Sequence, residues 1–310
     1  MLCLLLQRTT ATVVRPRLKA ISIASLLLST YPTTKPSLFV TAGITKRQMS
    51  NAPPPSSSGI DLYSWPTPNG LKITVALEEL KEAGVAVEYT YHPIDISKNE
   101  SKSDWYIKTI NPNGRIPALV DRDNNNLHSF ETGSMLLYLA NYRDKEFKLH
   151  FKEPQEELDM TNWIFFQHGG YGPMAGQAGF FLGHAVKQPI AAKRYIDETK
   201  RLLSVYEARL QEDGGRDFLV GAGKGKLSYA DIASFTWVRA APLVLGESIS
   251  KAGFPAVDAW VQRLNNRPAS KRAIPADGFV DKILNAPDAE QKLKDRVKWV
   301  YESDRKKDEL

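Results

Sequence analysis

The stretch Asp61-Leu-Tyr-Ser-Trp-Pro-Thr-Pro-Asn-Gly-Leu-Lys-Ile-Thr-Val-Ala-Leu-Glu-Glu-Leu80 decides how the rest of this 310-residue chain is read. Ile60-Asp-Leu-Tyr63 is a short apolar strand signal, and Pro66 and Pro68 forbid its continuation as strand or helix. After Asn69-Gly70, the residues Ile73, Ala76, Leu77 and Leu80 recur at helical spacing. Such a strand–loop–helix unit leaves Thr67 and Asn69 on a loop followed by the unpaired N–H groups of a helix N-terminus. That end attracts an anion, a thiolate included. An ordinary βα turn with Asn69 as its cap explains the same residues, and the two readings stand side by side.

Working outward toward the C-terminus, Val87-Glu-Tyr-Thr-Tyr91 alternates as a half-buried strand. A polar stretch with Lys102 and a short helix over 104–109 precede Asn111-Pro-Asn-Gly-Arg-Ile-Pro-Ala-Leu-Val120. Pro117 just inside the strand Ile116–Val120 is odd for a central position. A cis Ile116–Pro117 bond would account for it and offer the Ile116 backbone to a ligand. The strand Leu127-His-Ser-Phe130 then runs into Glu131-Thr-Gly-Ser134 and an apolar helix reaching Asn141. Glu131 and Thr132 thus stand at a second strand-to-helix junction. The order βαβ–α–ββα is that of an α/β thioredoxin-like module, placed at 59–145.

From Gln155 onward the pattern is helical throughout, with Ile196, Thr199, Leu203, Tyr206 and Leu210 keeping a three/four spacing. An all-helical domain is expected over 155–285 and a charged tail helix over 286–310. Ser228-Tyr-Ala-Asp231 before an apolar run reads as a capping box, which assigns Asp231 to folding. Gly221-Ala-Gly-Lys-Gly-Lys226 fails the P-loop pattern because Leu227 replaces Ser or Thr, and it is read as a turn. His92, His128, His150, His168 and His184 share no metal-ligand spacing, so no metal is expected and all five are read as structural.

Residues 1–58 are a basic leader and a flexible linker, the latter Ser50-Asn-Ala-Pro-Pro-Pro-Ser-Ser-Ser-Gly59. The net charge of +6 misleads, because residues 1–60 hold seven basic side chains and no acid. With those set aside, 34 basic residues face 35 acidic ones, so the charge balance gives no support to a nucleic-acid-binding protein. Ser, Thr and spaced Arg in the leader match a mitochondrial presequence. The terminal Lys307-Asp-Glu-Leu310 spells an endoplasmic-reticulum retention signal, which requires the leader to be a signal peptide. Translation from Met49 would give a cytosolic protein, and the order of expectation is cytosol, mitochondrion, reticulum. No apolar run reaches the length of a membrane span. The only cysteine is Cys3, so any thiol chemistry in the body must use a thiol brought by a ligand.

A thioredoxin-like half followed by an all-helical half resembles the glutathione transferases. Tyr63-Ser-Trp-Pro-Thr-Pro-Asn-Gly-Leu-Lys-Ile-Thr74 resembles the opening motif of their nu class. Asn111–Leu119 and Phe130-Glu-Thr-Gly-Ser134 resemble that class's cis-proline and glutamate motifs. Phe165-Phe-Gln-His-Gly-Gly-Tyr-Gly-Pro-Met-Ala-Gly-Gln177 and Lys193-Arg-Tyr-Ile-Asp-Glu-Thr199 resemble segments of its helical domain. The fungal nitrogen-catabolite regulator with a transferase-like domain belongs to the same group.

The resemblance implies glutathione as bound substrate, with Glu131 on its γ-glutamyl ammonium and the Thr132 hydroxyl and N–H on its carboxylate. Ile116, before Pro117, would pair with its cysteinyl backbone. Lys102 would meet its glycine carboxylate, although relatives carry Gln or His there. Thr67 and Asn69 would lie near the sulfur, and Arg194 matches a basic residue facing the site. The implied function is glutathione-dependent disulfide reduction, with some peroxidase or conjugating activity, by a homodimer. The alternative is a catalytically weak binding protein that regulates a protein partner.

Overall fold

The structure, a computed structural model, describes residues 52–308. Cys3, the basic leader and the start at Met49 lie outside the described residues, as do the last two letters of the Lys307–Leu310 signal.

Strand β1 (Ile60–Ser64) is buried at all five positions and leads into α1 (Pro68–Glu82). The helix begins at Pro68, earlier than the sequence reading placed it, because proline lacks only an N–H that the first helical turn would leave unpaired. Thr67 caps it, its side chain accepting from the Gly70 N–H at 3.1 Å. A Cβ on Gly70 would stand 1.9 Å from the Trp65 carbonyl oxygen, so only glycine lets the first turn close against the loop. Strand β2 (Tyr89–Pro93) pairs parallel to β1, Ile60 against Tyr89 through Ser64 against Pro93. This β2 sits two residues later than the alternation of 87–91 suggests. Pro93 is tolerated because β2 is an edge strand.

Helix α2 (Asp104–Thr109) follows two short 3₁₀ turns, and β3 (Ala118–Asp121) then begins directly after Pro117. Strand β4 (Leu127–Phe130) completes a sheet of order β2-β1-β3-β4, in which β3 is antiparallel to both neighbours. Helix α3 (Thr132–Tyr138) closes this thioredoxin-like half.

The helical half comprises α4 (Pro154–Phe166), α5 (Gly172–Gly183), α6 (Pro189–Gln211), α7 (Tyr229–Val238), α8 (Pro242–Leu245), α9 (Pro255–Asn265), α10 (Pro268–Ala273), α11 (Phe279–Leu284) and α12 (Ala289–Asp308). Between α4 and α5, residues Gln167–Tyr171 form a π-helical turn, so the two helices run on through one wider coil. Helix α1 packs on α3, α7 and α10 and shares a core with Ile60, Leu62 and Leu119 of the sheet. Its Ile73, Leu77 and Leu80 are fully buried, each stabilising the fold by roughly 2 kcal/mol. They share one core with Tyr206, Phe235 and Trp260 of the helical half. Asp231 holds α7 in place as the capping box predicts, accepting from the N–H groups of Ser228, Leu219 and the Trp260 indole at 3.0, 2.9 and 3.0 Å. Among the described residues no helix is long and apolar enough to cross a membrane.

Candidate active site

A cavity of about 590 Å³ opens where the β1–α1 loop, the turn before β3, the β4–α3 junction and the α4–α5 coil meet α7. Thr67, Asn69, Lys102, Ile116, Pro117, Glu131 and Thr132 all line it. Asn69 Oδ1 accepts from the Trp237 indole N–H at 2.8 Å. An indole can only donate, so this bond fixes the amide and leaves the Asn69 NH₂ as a donor beside the end of α1. Thr67 likewise spends a lone pair on the Gly70 N–H and keeps its O–H to donate. Tyr63 and Ser64, the other hydroxyls near the strand end, do not line the cavity. Tyr63 is buried in a second core with Trp105 and Tyr106, stacked on His92, and burial pushes its phenol up.

The Ile116–Pro117 peptide is cis, as the misplaced proline suggested. Lys102 reaches the Asn113 carbonyl at 3.4 Å, at the end of the cavity shared with Arg115. Glu131 is exposed and holds φ at 68° and ψ at 115°, in a region costly to any residue with a Cβ. That conformation turns the chain sharply from β4 into α3, and the side chain at the corner belongs to the cavity wall. The junction therefore presents a carboxylate and a helix N-terminus side by side, one for a cation and one for an anion. Among the described residues no group of three or more His, Cys, Asp or Glu could hold a metal ion.

Comparison with known proteins gives this arrangement a lineage. Residues 58–141 match the glutathione S-transferase N-terminal domain and residues 173–268 the C-terminal domain. The disulfide-bond oxidoreductase YfcG of Escherichia coli is 38% identical over 224 residues, 69% of this chain and 94% of that protein. This chain belongs to the glutathione S-transferase family. The solved structure of Ure2p in complex with glutathione superposes with a TM-score of 0.64 at 32% identity, over 71% of this chain and 96% of that one. A glutathione transferase homologue from Lodderomyces elongisporus, with two glutathiones per subunit, gives 0.62 at 34% identity, over 70% and 97% of the two chains.

Within this transferase fold, Lys72, Gln167 and His168 escaped the sequence reading, as did Trp237. Lys72 is 1% exposed, yet lines the cavity and donates to Thr132 Oγ1 at 3.2 Å and Gln167 Oε1 at 2.5 Å. Burial pushes its amine down to about 7, with the charge of Glu131 acting in the other direction. His168, read as structural, lies against Thr132 Oγ1 at 2.7 Å through Nε2 and against the Ile164 carbonyl at 2.9 Å through Nδ1. Burial, aided by Lys72, pushes its imidazole down to about 4, so the ring is neutral. A signal for Lys72 was present, since a lysine early in a helix opposes the macrodipole and needs a local reason. Gln167 and His168 were flagged only as part of the Phe165–Gln177 resemblance, because the π turn that aims them is not written in residue spacing.

Arg194 is not brought to the cavity. On α6 the buried Ala192 and Ile196 stand two residues to either side of it, about 200° around the helix, which leaves Arg194 exposed.

Proposed function

We propose that this protein reduces small disulfides with glutathione, the ligand thiolate lying at the N-terminus of α1 between Thr67 and Asn69. The observation that carries this is the Trp237–Asn69 bond, which pre-sets an amide donor where the resemblance puts the sulfur. With the Thr67 O–H and the end of α1, it supplies neutral donors that stabilise an anion more than a thiol. The thiolate attacks one sulfur of the substrate disulfide and expels the other as thiolate. A second glutathione thiolate then attacks the mixed disulfide, so two glutathiones are oxidised to one glutathione disulfide and the substrate leaves as two thiols. No cysteine of residues 52–308 takes part, because there is none.

A homodimer fits the same reading. Leu158 and Phe165, seven residues apart and both exposed, put an apolar stripe on one face of α4, and sedimentation velocity reads the state directly.

The test is turnover of 2-hydroxyethyl disulfide with glutathione, glutathione reductase and NADPH, beside chloro-dinitrobenzene conjugation. Asn69→Ala is expected to lower disulfide turnover at least tenfold while glutathione still binds. Strong conjugation with little disulfide turnover would overturn the reaction class. Silence in both assays with glutathione bound would shift the reading to a binding protein.

A further inference from the structure

The hydrogen bonds around Thr132 run in one direction. The Ile164 carbonyl can only accept, so His168 carries its proton on Nδ1, and Nε2 of the neutral ring is an acceptor. The Thr132 hydroxyl is therefore the donor to His168 and, with its proton committed there, is an acceptor toward Lys72. A hydroxyl so engaged has no proton for a ligand carboxylate. The resemblance gave it that task, and here the Thr132 N–H at the start of α3 is left to perform it.

The group with donors in reserve is Lys72. Two of its N–H bonds go to Thr132 and Gln167, both neutral, and an ammonium carries a third. The groups facing it from each packed element are Glu131 at the β4–α3 junction, His168 and Gln167 on the π turn, and Thr132 on α3. The first turn of its own helix contains no acid. Of these only Glu131 is charged, and in the bound state Glu131 is committed to the ligand's ammonium. The site so holds a buried amine with one donor to spare and no carboxylate within ion-pair distance among the described residues.

Resting on the glutathione reading above, we propose that Lys72 receives the γ-glutamyl α-carboxylate of bound glutathione, beside the Thr132 N–H, and takes up a proton as the ligand enters. Glutathione is then recognised at this end as a zwitterion, its ammonium on Glu131 and its carboxylate on Lys72. Burial of the amine, which titrates near 7 in the empty protein, makes the uptake visible above neutrality.

Isothermal titration calorimetry of the full chain with S-methylglutathione tests this, since methylation removes the thiol's own titration. Run at pH 8 in buffers of different ionisation enthalpy, the titration is expected to show roughly half a proton or more taken up per ligand, falling toward zero at pH 6. Lys72→Met should remove the uptake and weaken binding at least tenfold. Lys72→Arg, permanently charged, should bind within a few-fold of the parent with no uptake, and it covers the case in which the methionine variant fails to fold. Parent binding at pH 8 without net proton uptake would overturn the proposal, and so would unchanged affinity in Lys72→Met. Failure of the parent chain to bind S-methylglutathione at all would remove the glutathione reading itself, a different result from either.

Discussion

Helix α1 buries a charge near each end and meets the two in opposite ways. At its C-terminal end Glu79, 2% exposed, accepts from Arg267 Nε and Nη2 at 2.6 and 2.8 Å. Glu78 and Glu82 share Arg272, both bonds at 2.7 Å. At its N-terminal end Lys72 finds only neutral acceptors, and among the described residues no carboxylate stands within ion-pair distance of it. Both ends carry the sign that the macrodipole disfavours. The arginines before and within α10 offset this at one end, while at the other no described residue forms an ion pair with Lys72 and only the more distant charge of Glu131 favours its ammonium. A charge matched internally holds the two halves of the fold together, while one matched only in hydrogen bonds is left for a partner from solution.

The largest effect should come from breaking the matched end. Arg267→Ala leaves Glu79 buried without its counter-ion and is expected to cost about 3 kcal/mol in urea unfolding. A loss below about 1 kcal/mol would mean water reaches Glu79 and the two ends differ less than their burial suggests.

The unmatched end is read by pH. Lys72 has a folded pKa near 7 and an unfolded one near 10.5, so between these values the unfolded chain binds the extra proton and stability rises with pH. The gain for the ligand-free protein between pH 7 and 9 should be on the order of 2 kcal/mol, absent in Lys72→Met. Asp231, raised to about 6 by burial, acts below this window and in the opposite sense, its contribution being lost as pH rises through 6. A flat parent profile from 7 to 9 would place the amine's charge in the folded state and erase the contrast.

The smallest effect belongs to Arg194, a cation in neither setting. Arg194→Ala should change stability by less than about 0.5 kcal/mol and leave disulfide turnover unaltered. A clear drop in turnover would restore the role that the resemblance assigned to it.

What could be read in advance follows from what local chemistry encodes. Strand and helix periods, the prolines at 66, 68 and 117, and the Ser228–Asp231 box are short-range signals, and the thioredoxin-like and helical halves came from them. Thr67, Asn69, Glu131 and Thr132 were legible because strand-to-helix junctions announce themselves. Trp237 and Gln167 were not, since each reaches the site from 95 or more residues away and depends on how the halves dock. The π turn at 167–171 belongs to the same class, as does the choice between faces of α6 that puts Arg194 outside. A motif identifies a residue's relatives, whereas the face it occupies is decided by the buried residues around it.

The backbone at Glu131 carries one more consequence. A glycine would relax there, so selection for thermal endurance alone would favour replacing the one side chain that offers a carboxylate at that corner. Libraries screened only by survival after heating are therefore expected to enrich glycine at 131, and libraries screened by glutathione binding to return glutamate.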